Sequence, residues 1–84
     1  MDVILKLKEL GKALILVDTS AIRGRVKFNR INRAVADMHF FVLTNEFDAV
    51  QTKDAQEYLQ NLMEHMTSGS WRVQKVIDAV GANL

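Results

Sequence analysis

The chain has 84 residues, 49% of them hydrophobic and 25% charged, with eleven basic against ten acidic side chains and a formal charge of +1. That length fits one domain spanning 1–84, the composition excludes a disordered chain, and no extreme net charge advertises nucleic acid or membrane. The absence of cysteine excludes a disulfide framework, a thiol nucleophile and any cysteine-held metal.

Val3–Leu10 reads two ways. Leu5 and Leu7 alternate with Lys6 and Lys8, as in a strand, while Val3, Leu7 and Leu10 fit a helix. Ala13–Val17 is the longest apolar run, five residues against the roughly 18 of a membrane span. Its branched residues and the Asp18-Thr19-Ser20 turn chemistry predict a strand. Arg25–Phe28 alternates polar and apolar and predicts another. Phe28, Ile31, Ala34, Val35 and Met38 then recur at helical steps, so a helical segment follows through about Asp37. Phe40–Thr44 predicts a third strand.

The C-terminal third is purely helical in pattern. Thr52 is read as an N-cap with Asp54 in the first turn, and Ala55, Leu59, Leu62, Met63 and Met66 form one apolar face. Gly69 is read as the stop and Ser70 as the next N-cap. Val73, Val76, Ile77 and Val80 make a second stripe, ended by Gly81. The expected fold is α+β: a small antiparallel sheet of about three strands with two C-terminal helices. The alternative is an all-α bundle, to which the lack of proline lends weight. Both predicted core strands are apolar on both faces, which calls for covering helices or for a partner interface.

Charge is unevenly spread. Residues 1–33 hold eight basic and three acidic side chains, and residues 34–84 hold three basic and seven acidic. The densest stretch, Ile22–Arg33, carries Arg23, Arg25, Lys27, Arg30 and Arg33 with no acid. On a strand, Arg23, Arg25 and Lys27 share a face at steps of about 7 Å, a spacing suited to tracking phosphates or carboxylates. The competing reading is a solvated face whose arginines pair with acidic residues of the same or a neighbouring chain. Phe28, alternating with charges, is expected to point inward. Trp71 lies off the stripe of its helix. It is either an interface anchor or a cover for the helix junction against Tyr58 or Met66.

Catalytic patterns are thin. His39 and His65 have no second ligand at helical or hairpin spacing, so no metal site and no cofactor are expected. Ser20, Ser68 and Ser70 lack a nucleophile elbow, and Thr67–Ser70 lacks the spacing of a phosphate loop. Asp54 and Glu57 share a helical face that is polar and open. The expected function is therefore a small non-enzymatic regulatory or inhibitor-type module. It would bind a partner protein with an acidic surface, as a homodimer or a monomer, through Arg23, Arg25, Lys27, Arg30, Arg33 and Trp71. The alternative is a nucleic-acid-binding regulator using residues 22–33. Met1-Asp2-Val3 shows no basic leader, so a cytoplasmic location is expected.

Overall fold

A computed structural model describes residues 2–82 and contains four helices and no strand among them. They are α1 (Val3–Asp18), α2 (Gly24–Thr44), α3 (Ala49–His65) and α4 (Trp71–Ala82). The α+β expectation is corrected to an all-α fold. The predicted strand Ala13–Val17 is the last turns of α1, Arg25–Phe28 opens α2, and Phe40–Thr44 closes it.

The inward positions show why helix wins. In α1 they are Val3, Leu7, Gly11, Leu14 and Asp18, and in α2 Ile31, Val35, Met38, Phe41 and Val42. Steps of three and four place each set on one side of a helix, and a continuous stripe outweighs the β propensity of the branched residues between. Several of the apolar residues that suggested a second buried face, Leu16, Phe40 and Leu43, point to water instead. Leu16 is 71% exposed and Phe40 68%.

Boundaries follow local hydrogen bonding. The Asp2 carboxylate accepts from the Ile4 and Leu5 amides and starts α1. At its far end, the Thr19 hydroxyl donates to the Ile15 carbonyl and the Ser20 hydroxyl to that of Val17. In α2 the last carbonyls receive the Thr44 hydroxyl and the Asn45 side-chain amide. The start of α3 lies at Asp48, not Thr52. Asp48 accepts from the Gln51 amide, and the Gln51 side chain accepts from the Asp48 amide, a reciprocal capping box. Thr52 is buried inside the helix, and its hydroxyl finds no hydrogen-bond partner among the described residues. The α3 helix ends at His65, before Gly69, which takes a left-handed φ of 68° inside the following turn. Gly81 lies within α4 and does not terminate it.

Each helix packs on two others. α1 lies against α2 and α3, and α4 lies against α2 and α3. The pairs α1/α4 and α2/α3 are therefore diagonals of the bundle. The chain runs up and down as two hairpins, α1–α2 and α3–α4, laid side by side. The link Asn45–Asp48 crosses the diagonal at one end, and buried Phe47 plugs that end edge-on against Phe41, with ring centres 6.3 Å apart. Leu7, Leu14, Met38, Val42, Leu59, Val73, Val76 and Val80 fill the interior. The described residues measure 38 × 21 × 19 Å.

At the opposite end, buried Asp18 ties α1 to the α3–α4 turn. Its carboxylate accepts from the Thr67 amide (2.9 Å), the Ser68 amide (3.2 Å), the Ser68 hydroxyl (2.9 Å) and the Thr67 hydroxyl (3.2 Å). A carboxylate without a counter-ion is tolerable there because four donors replace its water.

Candidate functional site

The structure dissolves the basic ribbon. On a helix, successive residues turn by about 100°, so Arg23, Arg25 and Lys27 no longer share a face. Arg23 stands at the N-cap of α2 without a side-chain capping bond. Lys27 leans to one flank of the buried stripe and donates to the Ser20 carbonyl at 3.4 Å. Arg25, Arg30 and Arg33 are exposed and turn outward around the solvent side of α2. The phosphate-tracking strand is thereby corrected: its side chains diverge, because residues 24–44 wind as a helix.

Two of the six predicted residues do converge. Lys27 and Trp71 line one open cleft of about 310 Å³ with Gly24, Phe28, Ile31, Ser68, Gly69 and Arg72. It sits where the start of α2 meets the α3–α4 turn and the start of α4. Among the described residues no acidic side chain lines it. Ser68 and Gly69 line it from the α3–α4 turn, and the Asp18 bonds to Thr67 and Ser68 hold that turn in place.

The cleft is organised around Arg72, which nothing in the sequence pattern singles out. Its guanidinium lies 4.3 Å from the centre of the Phe28 ring and 4.4 Å from that of Trp71. Lys75 approaches the Trp71 ring at 5.9 Å. Two aromatic contacts fix a flat cation in position. Beyond these rings, the guanidinium makes no hydrogen bond or ion pair with a described residue, so its donors are unspent. Phe28 is 51% exposed and Trp71 60%. The expectation that Phe28 points into the core is overturned: the α2 stripe begins to bury only at Ile31, one turn later. Trp71 lies against Arg72 and Lys75, whereas Tyr58 is engaged across α1, its hydroxyl donating to the Lys8 carbonyl at 3.3 Å.

Charge around the site is unneutralised. The one ion pair among the described residues is Lys6–Glu9, at 3.8 Å on α1. Among the described residues the cations of α2 and α4 thus form no ion pair. Among the described residues no three histidine, aspartate or glutamate side chains gather as metal ligands. His65 is bonded through Nδ1 to the Asn61 carbonyl at the end of α3. No helix of the described residues is long and apolar enough to cross a membrane.

The fold and the cleft define a small four-helix bundle with a cationic, aromatic-walled notch at one end. Compared with protein-family models, curated proteins and solved structures, the chain finds no match among any of the three.

Proposed function

We propose that this chain is a non-enzymatic regulatory or inhibitor-type module of the cytoplasm that binds an acidic segment of a partner protein in the α2–α4 cleft. The single observation that carries this reading is the Arg72 guanidinium, lying over both the Phe28 and Trp71 rings with its donors unspent, in a cleft that no acidic side chain among the described residues lines. A planar fork held in advance binds a carboxylate in two parallel bonds at little further ordering cost. The exposed ring faces beside it accept an apolar side chain of the same segment. The preferred ligand is therefore an acid next to an aliphatic or aromatic residue, and Lys27 and Lys75 favour its approach.

A protein segment is favoured over nucleic acid by the same geometry. Single-stranded nucleic acid needs a continuous cationic track alongside its stacking rings. Here Arg25, Arg30 and Arg33 turn away from the cleft, which leaves a notch and not a track.

Trp71 is the one tryptophan, so its fluorescence reports occupancy directly. The test titrates the protein with a panel of acidic-apolar peptides and with single-stranded oligonucleotides. The expected result is saturable peptide binding. It should weaken by at least about 30-fold in Trp71→Ala and in Arg72→Gln, the loss typical of a central anchor. Oligonucleotide binding that exceeds every peptide and falls steeply with salt would replace this reading with the nucleic-acid one.

A further inference from the structure

A second surface lies on the far side of α2 from the cleft. Along the solvent side of that helix run Arg25, Val26, Arg30, Arg33, Asp37, Phe40 and Leu43, all exposed. Val26 is 53% exposed, Phe40 68% and Leu43 60%. Three large apolar side chains left open on one helix face call for a cover. The order of charge along the face identifies it. The first half of α2 carries Arg25, Lys27, Arg30 and Arg33 and no acid. The second half carries Asp37, and Glu46 and Asp48 follow in the link. Among the described residues no ion pair neutralises either end.

We propose that two copies of this chain pair through this face of α2, antiparallel about a two-fold axis near Ala34–Val35. The register follows from the helix rise. Val26 and Leu43 stand about 13 Å to either side of that midpoint, so each Val26 meets the Leu43 of the other copy, with Phe40 beside them. Arg33 comes within about 1.5 Å, along the axis, of the level of the other copy's Asp37. Symmetry repeats both contacts, closing an apolar patch at each end around two crossed Arg33–Asp37 pairs. A parallel pairing would set like charges against each other. The antiparallel one opposes basic half to acidic half, and it leaves the cleft, on the other flank of α2, open to solvent.

Sedimentation of the full chain from about 1 µM to 1 mM tests this pairing. The expected result is reversible growth from monomer mass to twice that mass, because one helix face forms an interface of modest size. Phe40→Glu/Leu43→Glu should hold the chain monomeric, with its far-UV helix signal unchanged because both positions are exposed. Arg33→Asp and Asp37→Arg each place like charges opposite and should raise the dissociation constant by at least about tenfold. An equimolar mixture of these two variants restores opposite charges at both contacts and should recover the dimer. Trp71→Ala/Arg72→Gln should leave the mass unchanged, which separates this test from that of the cleft. A chain that stays monomeric throughout overturns the proposal. So does a dimer indifferent to the Phe40/Leu43 variant, or a mixture of the charge variants that fails to reassociate.

Discussion

Asp18 shows how much a single side chain can organise. Burial alone pushes its pKa up, but the bonds from Thr67 and Ser68 outweigh burial and hold it below the ordinary aspartate value. A depressed folded-state pKa contributes stability that is present above the unfolded value. That stability is lost as pH falls through the folded one. The Asp18 contribution should therefore be complete at neutral pH and fade in acid. Asp18→Asn turns an amide N–H₂ toward a backbone donor and should cost about 2 kcal/mol at pH 7. Thermal melts should show a midpoint lower by roughly 10 °C and a weaker acid dependence than the parent. Since Ser68 lines the cleft, the same substitution should also weaken peptide binding without touching the ligand.

At the scale of elements, α1 explains why the first half of the sequence misleads. Two of its five inward positions are Gly11 and Asp18, which break the apolar stripe, while apolar Leu5 and Leu16 face water. The hydrophobic period is thus blurred on both sides of the helix, and the branched run Ala13–Val17 reads as a strand. In α2 the outward Val26, Phe40 and Leu43 do the same. The C-terminal helices carry unbroken stripes, Ala55–Leu59–Leu62 and Val73–Val76–Val80, and were legible. Of the cleft, Lys27 and Trp71 were legible as a cation and an odd aromatic. Phe28 and Arg72 were not, because their stacking depends on α2 and α4 becoming neighbours. Gly11 has a role that no turn explains. A Cβ there would overlap the Tyr58 ring of α3, so its absence lets the two helices approach. Gly11→Ala gains helix propensity but forces Tyr58 off the Lys8 carbonyl, for a net loss of about 1 kcal/mol. Urea titrations should show that loss, and the sign should reverse in a Tyr58→Ala background, where only the propensity gain is left.

The whole molecule is two hairpins joined across a diagonal. Neighbouring helices in such a bundle lie about 8–10 Å apart, so the diagonal is about 13 Å. Residues 45–48 cover it with little slack: Asn45 (φ −124°, ψ 148°) and Asp48 (φ −75°, ψ 178°) are both extended. At most about 3.6 Å per residue is available to a stretched chain, so removing two residues leaves the link too short. The α1–α2 hairpin could then no longer reach its own α3–α4 hairpin, yet the packing surfaces of both would be intact. Deletion of Asn45 and Glu46 should therefore yield an intertwined dimer, each copy lending a hairpin to the other. Its mass would double and, unlike that of a surface-paired dimer, resist dilution on the timescale of unfolding. The short crossing is what makes each chain find its own second half: the tether sets which molecule a hairpin belongs to, while the core sets only how it fits.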